Sequence, residues 1–396
     1  MKLIKRENYL NKLINVMGTP DIKVITGIRR SGKSKLLEEL KKYIIENVKN
    51  NNIIHINYNL PQFDSLKTYD ALINYVEKNF KEEMNNYLLI DEVQMCDEFE
   101  KAINGFHAEE KFDIYITGSN AFLMSSDLAT LFTGRTFKIE VYPFSFKEYQ
   151  KYYKYEDIQE AFDKYVFEGG MSGSYLYKTR EEKYQYIKDV FNTLIVRDIK
   201  QKYKIRNTDI IQNLTDYLMD NISNLTSSNN ITNVLNFNNV SITDKTVNNY
   251  IDYLCNAFSF YKIKRFDIKG KKYLSTQNKY YLADHSFRFA ILGTRNMDYG
   301  RVYKNIVAIE LLRRGYEIYV GTLYQKEIDF VAKKQGKQIY IQVSDDISNE
   351  KTFKREVESL LKIQDAYPKM VIARTKHEKY EYEGVEIIDI ASWLLE

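Results

Sequence analysis

Eight residues constrain this chain more than any others: Gly27-Ile-Arg-Arg-Ser-Gly-Lys-Ser34. They match G-x-x-x-x-G-K-[ST], and their flanks give the match its weight. Before the loop, Ile22, Val24 and Ile25 read as a short buried strand. After it, Leu36, Leu37, Leu40, Ile44 and Val48 recur at helical spacing. In a strand–glycine loop–helix unit, the backbone N–H groups and the helix dipole converge on one oxygen-rich anion. Gly27, Arg30, Ser31, Gly32, Lys33, Ser34 and Lys35 are therefore the cofactor-binding candidates. The Lys33 ammonium suits the β- and γ-phosphates of a nucleotide, and the Ser34 hydroxyl suits Mg²⁺. Arg29 and Arg30 are not required by the motif; they read as contacts to phosphate or to a neighbouring acidic group, with solvated surface as the equal alternative. The competing account, a glycine turn that matches by chance, does not explain the strand before and the helix after.

A phosphate loop needs acids opposite it. Tyr87 to Ile90 reads as a buried strand ending in Asp91-Glu92. Asp91 is assigned to the metal, through water, and Glu92 to polarising an attacking water. A further strand, Ile114-Tyr-Ile116, leads to Thr117-Gly-Ser-Asn120. Ser119 or Asn120 fits a hydrogen bond to the γ-phosphate or to the lytic water. Arg135 follows Gly134 just before another apolar strand. It is a candidate arginine finger, with a structural salt bridge as the equal alternative.

At 396 residues the chain exceeds one ordinary core and predicts two to four domains. It holds no apolar run of about 18 residues, so no membrane span is expected. The charged N-terminal stretch lacks the apolar segment of a secretory signal. Cys96 and Cys255 cannot form a disulfide framework, and no Cys/His spacing suggests zinc, which predicts a reducing, cytoplasmic location. Net charge is only +4, so its distribution matters more than its sum. Six cations, Lys262, Lys264, Arg265, Lys269, Lys271 and Lys272, face one acid, Asp267, over 262–272. Two β-type runs meet there around Gly270, after helical patterns over 209–222, 231–239 and 241–258. Helix, turn, helix and hairpin is the order of a winged helix. The basic hairpin predicts contact with double-stranded DNA, or, alternatively, a soluble edge of a module that binds protein.

The segments GIRRSGKS, YLLIDEVQ and ITGSNAFLMSSDLATLFTGRTFKIEVYPFSFKEY resemble the AAA+ ATPases, with 52–59 as the strand between the two nucleotide motifs. Together with EIDFVAKKQGKQIYIQVS, they make nearly the whole chain similar to a family of prokaryotic predicted ATPases. The resemblance implies an α/β fold: a P-loop parallel sheet sandwiched by helices over 1–150 and a helical lid over 151–205. A winged-helix domain over 206–295 and a small restriction-endonuclease-like α/β domain over 296–396 would follow. It implies ATP and Mg²⁺ as cofactors, with Lys33, Glu92, Ser119, Asn120 and Arg135 in catalysis, and a possible homo-oligomer. Members carry Gly-Gly-Met-Pro after the core. Here Ser172 follows Gly169-Gly170-Met171, which predicts a looser turn. In the C-terminal domain Glu310 and Asp329 match the metal-holding acids of the nuclease fold and Gln342 the E/Q position, but Ser344 replaces the lysine. That predicts a retained frame without cutting. The functional expectation is an Mg²⁺-dependent ATPase coupled to a DNA or protein partner. Its rivals are a nucleotide-occupied switch with negligible turnover and an ATP-dependent DNA nuclease.

Overall fold

The structure is a computed structural model, and it describes residues 4–118, 132, 134–238, 240–295, 297–324 and 326–396. The chain divides into two compact units, Met1–Val141 with Arg197–Lys202, and Tyr142–Val196 with Tyr203–Glu396.

The first unit is built on five parallel strands: β1 (Ile22–Thr26), β2 (Asn51–Asn57), β3 (Asn85–Asp91), β4 (Phe112–Thr117) and β5 (Thr136–Glu140). Their order is β2-β3-β4-β1-β5. Strand β1 is buried at every position, as its β-branched run Ile22, Val24, Ile25 and Thr26 requires of a central parallel strand. The strand at 52–59 exists, but it lies at the sheet edge, and β4 is what separates β1 from β3. Helix Lys33–Asn47 buries Leu36, Leu37, Leu40 and Ile44. Helices Tyr69–Asn79 and Phe99–Ala108 add Leu72, Val76, Ala102, Ile103 and Phe106 to one apolar core with Val24, Ile56, Leu88, Ile90 and Ile116. Because all five strands run one way, their C-terminal tips form a single rim, where crevices for ligands arise.

In the second unit, helices Thr208–Asp220, Ser228–Phe237 and Asp244–Asn256 precede the antiparallel hairpin β6 (Phe260–Asp267) and β7 (Lys272–Leu282). After helix Tyr299–Arg313 come β8 (Glu317–Leu323), β9 (Lys326–Lys334), β10 (Lys337–Ser344), β11 (Lys369–Ala373), β12 (Tyr380–Tyr382) and β13 (Val385–Asp389). The turn between β9 and β10 is Gln335-Gly336, both at positive φ, as a two-residue hairpin demands. The hairpin β6–β7 does not stand apart. Strand β6 pairs in parallel with β8, giving one eight-stranded sheet in the order β12-β13-β11-β10-β9-β8-β6-β7.

The turn expected to be loose is pinned. Gly170 N–H donates to Asp284 Oδ2 at 2.6 Å, and Gly170 O accepts from Phe144 N–H at 2.8 Å. A Cβ on Gly170 would lie 2.2 Å from the Phe144 carbonyl oxygen, so glycine is required by close approach. Among the described residues no helix is long and apolar enough to cross a membrane. Both cysteines are free.

Candidate functional site

The loop between β1 and helix Lys33–Asn47 uses its two glycines for different reasons. A Cβ on Gly27 would sit 2.1 Å from the Val141 carbonyl oxygen, so that position is closed by packing. Gly32, the residue before the helix, has φ +99, a value that L residues rarely adopt, while its Cβ direction is nearly open. Arg30 is also left-handed, with φ +62. Such strain in a non-glycine residue clusters at ligand clamps.

Lys33 is buried, and its Nζ donates to the carbonyl oxygens of Gly27 at 2.9 Å and Ile28 at 3.1 Å. The ammonium is thereby folded back on its own loop. Burial pushes its pKa down, while Glu92, Asp91 and Asp198 pull the other way. Asp91 ends β3 and is 1% exposed. One of its carboxylate oxygens accepts the Thr117 hydroxyl proton, and the other, Oδ2, has no hydrogen-bond partner. Burial raises its pKa, and the Thr117 and Ser34 hydroxyls partly oppose the shift. Glu92 follows at φ +58, with its N–H on Thr117 Oγ1 at 3.2 Å and its carboxylate accepting from Gln94.

Four of the ten buried side-chain polar atoms without a hydrogen-bond partner among the described residues lie here. Thr26 Oγ1, Arg29 Nε, Ser31 Oγ and Asp91 Oδ2 are buried and unpartnered, and all belong to the loop or to the strand tips beside it. Native proteins leave few such groups, so a local concentration marks a place where a ligand supplies the partners. The donor set fits a nucleotide with a hard cation: a hydroxyl at 34, a carboxylate at 91, and an ammonium at 33. Among the described residues no group of three or more His, Cys, Asp and Glu could hold a metal alone. A P-loop cation does not need one, because phosphate oxygens and water complete its shell.

The other expected residues are placed as follows. Ser31 is buried and Ser34 half-buried, whereas Lys35 is exposed and paired with Glu38 at 2.7 Å. Ser119 and Asn120 lie outside the described residues. Arg135 is exposed and immediately precedes β5, whose Thr136 pairs with Ile22, the first residue of β1. In a parallel sheet that is the rim opposite the phosphate loop, roughly 15 Å away at 3.3 Å per residue. Arg135 therefore cannot serve as a finger for the nucleotide of its own chain. Sequence reasoning missed Arg6, a buried side chain whose Nη1 donates to the Ser31 carbonyl oxygen at 2.8 Å. It also gave Thr117 no role, and it reads the adjacent charges Arg197 and Asp198 as a helix-face ion pair in preference to a readout of nucleotide state. No local pattern announces these three, because each reaches the loop through tertiary packing.

In the second unit, Lys264, Lys271 and Lys272 are exposed, but the other three hairpin cations are engaged. Lys262 faces Asp252 at 3.8 Å, Arg265 donates to Thr322 and Gln277, and Lys269 lies over the Tyr324 ring. Asp329 is buried and paired with Lys304 at 2.7 Å and Lys279 at 3.7 Å, and it accepts the Val343 N–H at 3.0 Å. Burial alone would raise its pKa, but Lys304, Lys279 and this N–H outweigh it and leave the carboxyl below its ordinary value. Gln342 adjoins it, accepting the Asp329 N–H at 2.8 Å and donating to Ser359 at 2.8 Å. Glu310 has separate partners, Arg313 and Arg314. The hydroxyl of Ser344 donates to the Asp346 carbonyl oxygen at 3.0 Å. Two lysines thus occupy the Asp329 carboxylate where a nuclease would place a metal, and the residues present do not fit that metal. A polar cavity of about 320 Å³ lies beside them, lined by Lys279, Arg301, Lys304, Glu327, Asp345 and Glu356 among others.

The parallel sheet, the phosphate loop and the acid-tipped β3 define an AAA+-like α/β fold. The family model of the AAA domain matches residues 19–150, and a domain of unknown function matches 159–298. An uncharacterized protein of Haemophilus influenzae is 36% identical over 399 residues, covering 100% of this chain and 99% of that protein. The chain belongs to the family of that protein. An uncharacterized protein of Methanocaldococcus jannaschii, MJ1544, is 28% identical over 407 residues, covering 98% of this chain and 89% of that protein. Among solved structures, AMPPCP-bound DnaA from Aquifex aeolicus is 16% identical with a TM-score of 0.31, covering 64% of this chain and 89% of that one.

Proposed function

We propose that this protein is an Mg²⁺-dependent ATP-binding and hydrolysing switch that couples nucleotide state to an anionic partner. The observation that carries the reading is the cluster of buried polar atoms without partners at Thr26, Arg29, Ser31 and Asp91, gathered around a helix N-terminus and a buried lysine. Lys33 would leave its own loop carbonyls for the β- and γ-phosphates. Ser34 and Asp91 would hold Mg²⁺, which when bound supplies charge neutralisation on those phosphates. Glu92 would orient the attacking water. Strand β4 lies between β1 and β3, so its tip at Thr117 shares the rim with the phosphate loop. Ser119 and Asn120 stay our candidates for a hydrogen bond to the γ-phosphate or the lytic water.

The order of three helices and a hairpin supports a winged-helix module, with Lys264, Lys271 and Lys272 offered to a phosphate backbone. Double-stranded DNA is the partner we favour, with an acidic protein surface as the alternative. The helix Tyr299–Arg313 followed by β8, β9 and β10 supports a restriction-endonuclease-like reading of the C-terminal part, and the lysines on Asp329 favour a frame that does not cut. The place of Arg135 favours action on a neighbouring subunit, hence a homo-oligomer, and the two free cysteines suit a cytoplasmic setting. ATP turnover by the full chain, with and without duplex DNA, tests the reading. Turnover that is lost in Lys33→Ala supports it. Equal turnover in that variant contradicts the site.

A further inference from the structure

Arg29 lies inside the phosphate loop, between Gly27 and Gly32, and its Nη1 stands 3.4 Å from Asp198 Oδ1. The pair is unequal. Asp198 is almost fully buried, at 5% exposure, while Arg29 is half-buried with its Nε unpartnered. Asp198 also acts electrostatically on Lys33, alongside Asp91 and Glu92. Asp198 thus pairs with one cation of the phosphate loop and acts on a second, Lys33, the ammonium that suits the β- and γ-phosphates. A carboxylate fixed there and a γ-phosphate repel each other, and burial strengthens that repulsion.

The backbone carrying Asp198 is unusual too. Residues Leu194–Lys200 form a π-helical turn following the helix Arg180–Thr193. Turns of this kind are rare and occur mostly at functional sites. Residues Arg197–Lys202 belong to the first unit, although the chain on both sides belongs to the second. The chain therefore passes between the two units just before 197 and just after 202.

We propose that Asp198 is the γ-phosphate sensor of this site: an acid held on the loop by Arg29 in the nucleotide-free protein and expelled when a triphosphate takes Arg29 and Lys33. A diphosphate, lacking the group that meets the carboxylate, leaves the pair in place. The inference rests on the nucleotide reading above and assigns its regulation to one residue.

The test is calorimetry on the full chain with AMPPCP and ADP, each with Mg²⁺, for the wild type and Asp198→Asn. The substitution keeps the side chain's shape and removes its charge. Loss of that repulsion tightens AMPPCP about tenfold and ADP less than about threefold. Amide hydrogen exchange over 194–203 of the wild-type protein gives a second readout that needs no variant. AMPPCP accelerates exchange there and ADP does not. If the wild type binds AMPPCP, but the ratio of the two affinities is unchanged in Asp198→Asn and exchange over 194–203 does not respond, the sensor is refuted while the nucleotide site stands. If the wild type binds neither nucleotide, the reading beneath it fails and the sensor falls with it.

Discussion

Asp91 and Asp329 are both aspartates buried to within 2% exposure, both on strands of a sheet, and both close to lysine. Their surroundings differ. Asp329 is saturated: two ammonium groups and a backbone N–H surround it, and its pKa is depressed. Asp91 is incomplete: one oxygen lacks a partner, its lysine is turned toward backbone carbonyls, and burial raises its pKa. A buried charge with its partners in place holds structure, whereas one whose partners are missing waits for a ligand. Motif matching treated the two acids alike, and the count of satisfied oxygens separates them.

The largest effect should come from breaking the saturated site. Asp329→Ala strips Lys304 of its 2.7 Å partner, while Lys279 keeps Glu327 at 2.5 Å, and should cost about 3 kcal/mol, read as a fall in denaturation midpoint. Nucleotide affinity should not change. The matching variant at the incomplete site behaves in reverse. Asp91→Asn should leave the midpoint nearly unchanged, because burial already disfavours the charge, and should abolish Mg²⁺-dependent nucleotide binding in calorimetry. Were Asp91→Asn the more destabilising of the two, the distinction would be wrong.

The two loop glycines sharpen the same contrast between packing and ligand. Gly27→Ala drives a Cβ into the Val141 carbonyl and should lower the midpoint strongly. Gly32→Ala meets open space, so only its left-handed backbone is penalised, by about 1–2 kcal/mol.

The smallest effect is the response to pH. Asp91 must be ionised to hold the metal, and its pKa is raised, so nucleotide affinity should fall at a pH above the ordinary carboxylate range. Asp329 has a depressed folded-state pKa. The stability it contributes is present above its unfolded-state value and is lost only as pH falls through the lower folded value. On acidification, binding should therefore decline before the Asp329 contribution does. Calorimetric titrations and melting curves over the same pH series check the order.

Much of the first unit was legible because local pattern determined it. The run of β-branched residues before Gly27 and the spacing of Leu36, Leu37, Leu40 and Ile44 state a strand and a helix without any tertiary help. Asp91 and Glu92 followed from an apolar run that ends in acid. Whether Arg135 could reach its own chain's nucleotide stayed open because a strand's place in the chain does not say which rim its first residue occupies until the sheet is known to be parallel. The roles of Lys279 and Lys304 stayed hidden since they approach Asp329 from a hairpin strand and a helix distant in sequence. Arg6 escaped for the same reason, and Asp198 was read first as a helix-face ion pair; they reach the loop from 25 and 169 residues away. In the hairpin, composition revealed six cations but not that three of them already have partners.

The most direct measurement is calorimetric titration of the full chain with Mg²⁺ and AMPPCP, in the wild type, Lys33→Ala and Asp329→Asn. The account predicts one site per chain, absent in Lys33→Ala and retained with unchanged affinity in Asp329→Asn. No binding to the well-folded wild type, or loss of the site in Asp329→Asn with the fold intact, would contradict it.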